Sequence, residues 1–267
     1  MSLKDLLNDV PSIDFDGHLL YQQTIVDHHF FQEKYLELRQ KEGRLYNDDV
    51  VKKLPSFHEN EGVNFEWKVR EATTRMIVKY LRNRTGLETI MDLGCGNGWL
   101  SNIMANALNG QVVGVDVNIL ELRQAARVFS KENLIFLYGD VMSLDRPNCF
   151  DAIVLAGSVQ YFPNLPVLIK KLYSLLRVNG QIHILDSPIY KSEAETYLAK
   201  KRSQRHFESM GTPEMNTHYF HHSFEGFNGY DLEINFDPRS ISNLIKRKVL
   251  RITQSPFPWI VVTKTRG

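Results

Sequence analysis

The spacing of apolar and polar residues changes repeatedly along the chain, and these changes predict alternating strands and helices. Short apolar runs typical of buried strands occupy five places: residues 90–92, 112–115, 134–138, 150–156 and 181–185. Between these runs, apolar residues recur at helical spacing, and suitable N-cap residues such as Asn118 and Asn164 precede them. Because strands and helices alternate, we expect a parallel sheet with helices packed on it.

The first part of the chain differs from this pattern. Residues 1–63 are polar and aromatic and carry too little apolar sequence for a core of their own. Their spacing predicts a helix over residues 24–40 and a short helix that ends near Pro55. Asn64 is a suitable cap for a longer helix ahead of the first strand. We therefore expect an N-terminal helical extension, residues 1–63, that packs on a main domain formed by residues 64–267.

The regular alternation is interrupted after the fifth predicted strand. A weakly amphipathic helix that ends near Ser209 is followed by residues 212–230, in which aromatic residues and histidines stand among glycines and asparagines. Ligands of open α/β sheets bind beyond the carboxyl ends of the strands, which is where this insertion begins. We therefore expect residues 189–230 to form a lid over a binding site.

Two further boundaries are predicted in the second half of the chain. Asn179 and Gly180 are suitable residues to end the helix that begins at Asn164. Near the C-terminus, a helix from about Arg239 to Lys248 precedes apolar runs over residues 249–253 and 259–263. A turn rich in proline separates these two runs. They predict an antiparallel hairpin at the edge of the sheet.

The most informative motif follows the first predicted strand. Asp92 is followed by Gly94, Gly96 and Gly98 in the pattern D-x-G-x-G-x-G, and a helical pattern resumes at Trp99. Glycines suit a tight turn that lets a ligand approach the backbone at a helix N-terminus. The second strand ends at Asp116, about 20 residues further on, where a carboxylate can bind the hydroxyls of a ribose. The motif therefore predicts a ligand that contains adenosine.

The same residues distinguish two families that bind such ligands. The dinucleotide-binding motif G-x-G-x-x-G would need glycine where this chain has Trp99. Together with Tyr138-Gly-Asp140 after the third strand and Phe150–Ala156 as the fourth, the motif resembles the class I S-adenosylmethionine-dependent methyltransferases. The resemblance covers residues 65–190 well. It implies a Rossmann-like, doubly wound α/β sheet that is mostly parallel, with an antiparallel C-terminal edge hairpin, the N-terminal helical extension and the lid.

The resemblance also implies S-adenosyl-L-methionine as the cofactor and assigns roles by position. The glycine loop would lie under the methionine part, Asp116 would hold the ribose, and Asp140 with Val141 would meet the adenine. The residues expected to bind the cofactor are Asp92, Gly94, Cys95, Gly96, Asn97, Asp116, Val117, Asp140, Val141 and Ala156.

Methyl transfer from a sulfonium needs alignment and exclusion of water more than acid–base groups, although one base would help a protic acceptor. Histidine is the natural candidate, and the lid supplies His218, His221 and His222 as candidate catalytic residues. We expect Trp67, Tyr161 and Tyr219 to contact the acceptor. Adjacent histidines point in divergent directions, so we expect no metal site.

Composition and charge narrow the class of partner. Lysine plus arginine (32) nearly balances aspartate plus glutamate (31), so a strongly basic nucleic-acid-binding face is not expected. The two cysteines, one of them inside the glycine loop, favour a reduced, cytoplasmic setting. The N-terminus lacks a long apolar core, and no apolar run reaches the length of a membrane span. The sequence does not indicate an oligomeric state.

The sequence thus predicts a methyltransferase that acts on an oxygen or carbon of a small organic acceptor. The Asp/Asn-Pro-Pro-Tyr/Phe motif of amino-methyltransferases is absent after the fourth strand, where the chain has Ala156-Gly-Ser-Val. The order from Asp151 to Pro188 resembles the branch that acts on quinones, sterols and polyketides. Two alternatives stay open: a methyltransferase of a protein or RNA, and a non-catalytic partner protein that binds the cofactor with the same fold.

Overall fold

The computed structural model describes residues 18–22, 28–57 and 61–265. The strands are β1 (Leu19–Tyr21), β2 (Thr89–Leu93), β3 (Gln111–Asp116), β4 (Leu134–Tyr138), β5 (Phe150–Ala156), β6 (Leu176–Leu185), β7 (Ile189–Tyr190), β8 (His222–Ser223), β9 (Asp231–Phe236) and β10 (Trp259–Thr263). The helices are α1 (His29–Lys41), α2 (Asp48–Val51), α3 (Glu61–Arg82), α4 (Trp99–Ala107), α5 (Ile119–Val128), α6 (Leu165–Leu175), α7 (Glu193–Ser209) and α8 (Ile241–Lys248).

Eight of the strands form one mixed sheet in the order β1-β4-β3-β2-β5-β6-β10-β9. Neighbouring strands are parallel except at β10, which runs antiparallel to both β6 and β9. The order reverses at β2, which pairs with β3 on one side and β5 on the other. The predicted Rossmann-like, mostly parallel fold class with antiparallel C-terminal strands is confirmed. Ligands of such sheets bind at this reversal, beyond the carboxyl ends of the strands.

Helices cover both faces of the sheet, because successive strand residues point to opposite sides. On one face, Met91 and Val113 pack with the apolar residues of α6. On the other face, Ile90 and Val112 pack with α3, α4 and α5. All five residues of β2 are buried, so the strand that carries the glycine loop at its end lies in the middle of the core. Among the described residues, no helix has the length and apolarity to cross a membrane.

Helix caps follow the sequence closely. The Asn164 side chain accepts a hydrogen bond from the Val167 N–H at 3.1 Å, and Ser192 caps α7 in the same way. Asn118 caps α5 by accepting from the Leu120 and Glu121 N–H groups, both at 3.2 Å. The Asn118 N–H, however, donates to Asp116. The Glu121 side chain therefore does not complete a capping box at the start of α5.

Two predicted helix boundaries are wrong. Helix α3 is already formed at Glu61, so Asn64 lies inside it and does not begin it. Helix α6 ends at Leu175, because Leu176 pairs with Phe150 and the chain enters the sheet there. Asn179 has a positive φ of 66° within β6, where its N–H donates to the Lys264 carbonyl. The asparagine thus bends a strand instead of ending a helix.

The strands at the two edges of the sheet also differ from the prediction. The strand expected over residues 249–253 is wrong, because the Val249, Leu250 and Ile252 N–H groups bond to carbonyls at the end of α8. Strand β9 takes that place and pairs with β10. At the other edge, residues 19–21 of the N-terminal extension add β1, parallel to β4. The hydrophobic pattern of the sequence predicts neither of these edge strands.

The insertion after β6 packs against the N-terminal extension. Residues 189–230, the lid segment, contain α7 and the short parallel pair β7 and β8. Leu38 of α1 forms a small buried cluster with Phe207 and Met215 of the lid segment. The Lys41 ammonium also donates to the Gly211 carbonyl at 2.8 Å. Helix α1 and the lid segment therefore form one cover beside the carboxyl edge of the sheet.

Candidate cofactor and acceptor site

The glycine loop between β2 and α4 has three residues in the left-handed region, with φ of 76° at Gly94, 52° at Gly96 and 75° at Gly98. A Cβ at Gly94 would lie 2.4 Å from the Ser158 Cβ, and a Cβ at Gly98 would lie 2.6 Å from the Phe136 ring. At Gly96, the nearest atom to such a Cβ is a carboxylate oxygen of Glu121 at 3.4 Å. Packing thus requires two of the glycines, whereas Gly96 faces a cavity.

Asp116, at the end of β3, holds the loop in place. Its carboxylate accepts hydrogen bonds from the N–H groups of Gly96 and Asn118, both at 2.8 Å. Burial raises the pKa of Asp116, and these backbone donors act in the opposite direction. Each carboxylate oxygen can accept more than one hydrogen bond, so Asp116 can also accept from ligand hydroxyls.

Asp92 supports the loop from below. It is 2% exposed, and its carboxylate accepts a hydrogen bond from the Ser101 hydroxyl at 2.6 Å, which joins β2 to α4. Burial, together with the nearby Asp116 charge, raises the pKa of Asp92 to about 7. The carboxylate is therefore close to its protonation midpoint at neutral pH.

A large cavity of about 1420 Å³, open solvent at its mouth included, lies beyond the ends of β3 and β4. Asp116 and Asp140 line its floor, while Phe30, Phe31 and His218 line its cover. Burial opposes the ionisation of Asp140, but contacts with His28 and the Met142 N–H lower its pKa. Carboxylates on one side and aromatic rings on the other suit a nucleoside.

A second, polar cavity lies over the glycine loop, between the loop and the N-terminal helices. Arg39, Arg44 and Arg70 line it together with Glu66 and Trp67. Arg70 donates to Glu66 through Nε at 3.1 Å and Nη2 at 3.0 Å, and Arg44 donates to the same carboxylate. Arg39 donates to Glu42, which lies outside the cavity, at 3.0 Å. These three guanidinium groups can also donate to a carboxylate that a ligand brings into the cavity.

Several polar atoms that line the two cavities have no hydrogen-bond partner. Asn97 Oδ1, Asn118 Nδ2 and His28 Nε2 are buried and unpaired, although His28 Nε2 lies 3.6 Å from the Asp140 carboxylate. Buried polar groups are rarely left unpaired, so these atoms indicate that a polar ligand completes the site. Hydroxyl, amino and carboxylate groups of S-adenosylmethionine are suitable partners, and the residues present fit this cofactor.

The structure brings together all ten residues predicted to bind the cofactor. Asp92, Cys95, Gly96, Asn97 and Ala156 line the polar cavity; Asp116, Val117, Asp140 and Val141 line the large cavity; Gly94 lines both.

The predicted catalytic histidines do not lie together. His218 lines the large cavity, and its ring centre lies 5.4 Å from that of Phe31. His221 lies away from both cavities, between Tyr190 and Tyr219, and bonds to the Ser203 hydroxyl at 3.0 Å. His222 is buried in β8, and its ring is 3.2 Å from the Val159 carbonyl. Of the three candidate catalytic histidines, the structure thus brings only His218 to the large cavity.

The residues predicted to contact the acceptor are also separated. Trp67 lines the polar cavity and donates to the Tyr46 hydroxyl at 3.1 Å. Tyr161 lines the large cavity, and its ring packs on Phe31 and Tyr35. Tyr219 packs behind Tyr161 and lines neither cavity.

Several residues that the sequence did not mark come from α1, the loop after it, α3 and α5. Arg39, Arg44, Glu66, Arg70 and Glu121 lie at the polar cavity, yet no motif or spacing marks them in the sequence. Their contribution depends on how α1 and α3 pack against the sheet. The one sequence signal at Glu121 is its capping-box spacing from Asn118, and that signal marks the start of a helix, not a binding site.

Comparisons with known proteins agree with this geometry. Residues 90–180 match a family described as methyltransferase domain. An uncharacterized methyltransferase of Mycobacterium bovis is 27% identical over 101 residues, which cover 38% of this chain and 51% of that protein. A 2-phytyl-1,4-naphtoquinone methyltransferase of Synechococcus elongatus is 30% identical over 149 residues, 51% of this chain and 61% of that protein. The chain thus spans between about half and three fifths of the length of these relatives.

Solved structures share the fold over more of the chain. One of them is magnesium protoporphyrin IX methyltransferase of Synechocystis, which was solved with bound S-adenosylhomocysteine. It superposes with a TM-score of 0.55 at 14% identity, and the match covers 89% of this chain and 96% of that protein's chain. Residues 90–180 thus match a methyltransferase domain, and the chain shares the fold of solved methyltransferases. The resemblance to methyltransferases that the sequence predicted is confirmed.

Proposed function

We propose that the protein transfers the methyl group of S-adenosylmethionine to an oxygen or carbon of a small organic acceptor. The observation that carries this proposal is the cover formed by α1 and the lid segment, which brings Phe31 and His218 to the large cavity beside the glycine loop and Asp116. A covered cleft of this size suits a small molecule better than a folded protein or an RNA duplex. The similarity to a quinone methyltransferase supports the same class of acceptor.

The arrangement of charges supports one orientation of the cofactor. Asp116 and Asp140 would hold the adenosine in the large cavity, and the methionine part would lie over Gly96 in the polar cavity. There its carboxylate would face Arg39, Arg44 and Arg70. The bound cofactor supplies an electrophilic methyl group, so the chain's own task is to orient the acceptor and exclude water.

Among the three lid histidines, His218 is the candidate base for a protic acceptor, because it is the one that lines the large cavity. Burial lowers the pKa of His218, and the neighbouring His28 lowers it further. The imidazole is therefore neutral at pH 7 and able to accept a proton. Tyr161 and Trp67 would position the acceptor from the two cavities.

Methyl transfer tests this proposal directly. The protein is incubated with methyl-labelled S-adenosylmethionine and separate pools of phenols, quinols, carboxylic acids, protein and RNA. We expect label in a small-molecule pool, and a Gly96→Val variant should abolish it, because the branched Cβ would occupy the cavity. Gly86→Val is the matched control, since Gly86 has a similar φ of 71° in open space. Label found only in protein or RNA would contradict the proposal.

The role of His218 is tested with the same assay once an acceptor is known. His218→Ala should lower turnover while cofactor affinity stays nearly intact, because the residue would act on the acceptor. His221 lies outside both cavities, so His221→Ala is the control and should leave turnover close to the parental value. Equal turnover in all three proteins would show that His218 is not the base.

A further inference from the structure

Glu121 is a carboxylate in the site that neither the fold nor the roles described above require. It lies in the first turn of α5 and lines both the large and the polar cavity. Its two carboxylate oxygens lie 3.4 and 3.5 Å from the position that a Cβ on Gly96 would occupy. The side chain therefore stands directly over Gly96, where a Cβ would point into the cavity.

The carboxylate of Glu121 is not used within the protein. Asp116 accepts two backbone N–H groups and Asp140 accepts the Met142 N–H, whereas no group of the described residues donates to the Glu121 side chain. The Asn118 N–H, which a capping box would pair with Glu121, is taken by Asp116. Glu121 is half-buried and its carboxylate faces the two cavities, so a ligand donor at this position would supply the partner that the protein does not.

The charges around Glu121 come from several elements. Burial, together with the Asp116 charge at the end of β3, raises the pKa of Glu121 to about 7. Arg39 of α1 acts in the opposite direction. Cys95 of the loop, Tyr35 of α1 and Tyr161 after β5 also face it, and burial raises the pKa of each, so all three are neutral at pH 7. Arg39 is thus the one cation among these neighbours.

We propose that Glu121 is a second acidic cofactor-binding residue, which contacts a hydrogen-bond donor of bound S-adenosylmethionine in its ionised form. The inference rests on the proposed cofactor site and goes beyond it, because it adds a contact that the family motif does not supply. Two groups of the cofactor have the right chemistry: the ribose hydroxyls and the methionine ammonium. Either would donate to Glu121 over Gly96, and binding near neutral pH would then release a proton from the carboxyl group to solvent.

The test is calorimetric titration of S-adenosylhomocysteine into the parental protein, Glu121→Gln and Glu121→Ala at about pH 7, in buffers of different ionisation enthalpy. We expect about tenfold weaker binding in both variants, since hydrogen bonds to charged groups are the stronger ones. Fewer protons should be released on binding to Glu121→Gln than to the parental protein. Arg123→Gln, on an exposed position of the same helix, is the matched control and should behave as the parent.

A second ligand separates the two donor groups. 5′-Methylthioadenosine keeps the ribose and lacks the ammonium. Weaker binding of both ligands by Glu121→Gln would assign the ribose, and weaker binding of S-adenosylhomocysteine alone would assign the ammonium. Parental affinity for S-adenosylhomocysteine, or parental proton release, in a folded Glu121→Gln would overturn the inference. Absence of binding in the parental protein would instead contradict the proposed cofactor site.

Discussion

Three carboxylates surround the glycine loop, and burial raises the pKa of each. Asp92 supports the loop through Ser101, Asp116 binds the Gly96 N–H, and Glu121 stands over Gly96 without a partner. The motif and its spacing were enough to predict that Asp92 and Asp116 belong to the site. Glu121 could not be predicted in this way, because its carboxylate is free for a ligand only since the Asn118 N–H donates to Asp116 instead.

Asp116→Ala should weaken cofactor binding by roughly 1 to 3 kcal/mol, through the loss of charge-assisted hydrogen bonds to the ribose. The Gly96 N–H would also lose its acceptor, and the less ordered loop would weaken cofactor binding further. Isothermal titration with S-adenosylhomocysteine measures the change. Asp231→Ala, at an exposed position of the edge strand β9, is the control. Unchanged affinity in Asp116→Ala would show that this strand end does not bind the ligand.

The buried Asp92 makes stability depend on pH. Its pKa is raised from 3.8 to about 7, so between these values the folded state binds more protons than the unfolded state, and the free energy of unfolding falls as pH rises. Asp92→Asn removes this titration and keeps an acceptor for Ser101. Relative to the parent, it should therefore gain stability between about pH 4 and pH 7, by on the order of 4 kcal/mol at most.

Chemical unfolding of both proteins at several pH values in this window checks the Asp92 prediction. Groups shared by the two proteins cancel in the difference. A stability difference that stays constant or shrinks with rising pH would show that the raised pKa of Asp92 is wrong.

At the scale of elements, the sequence predicted the helices and strands that are marked by neighbouring residues in the chain. Apolar runs and caps located the five central strands and α5 to α7, because each signal acts within a few residues of its element. Strands β1 and β9 were missed since their pairing partners are distant in sequence. The start of α3 and the end of α6 differ from the predicted positions because contacts with the rest of the fold, and not the local sequence, determine them. The two-part cover of α1 and the lid segment depends entirely on packing between distant segments.

The lid segment, residues 189–230, should exchange its amide hydrogens faster than β2 and β5 in the free protein and more slowly after S-adenosylhomocysteine binds. The physical reason is that its contact with α1 rests on a small cluster around Leu38, Phe207 and Met215, whereas the central strands lie in the large cores. Hydrogen exchange followed by mass spectrometry measures this, and the exposed helix α8 serves as an internal control. If the segment were as protected as the central strands and insensitive to ligand, it would belong to the core.

At the scale of the whole molecule, the reversal of strand order at β2 and β5 gathers the site. The loop after β2, Asp116 after β3, Asp140 after β4 and Ala156 at the end of β5 meet at one edge of the sheet. The motif order was enough to predict this meeting, since parallel strands present their carboxyl ends together. The acceptor side was not predictable to the same degree, because α1, α3 and the lid segment form it.

The central claim is that this edge binds S-adenosylmethionine, and comparative calorimetry tests it most directly. S-adenosylmethionine and S-adenosylhomocysteine are titrated into the protein alongside NAD, which shares the adenosine and would need the dinucleotide motif that Trp99 interrupts. We predict micromolar dissociation constants for the first two and no measurable binding of NAD. Tighter binding of NAD than of both methionine-derived ligands would contradict the account.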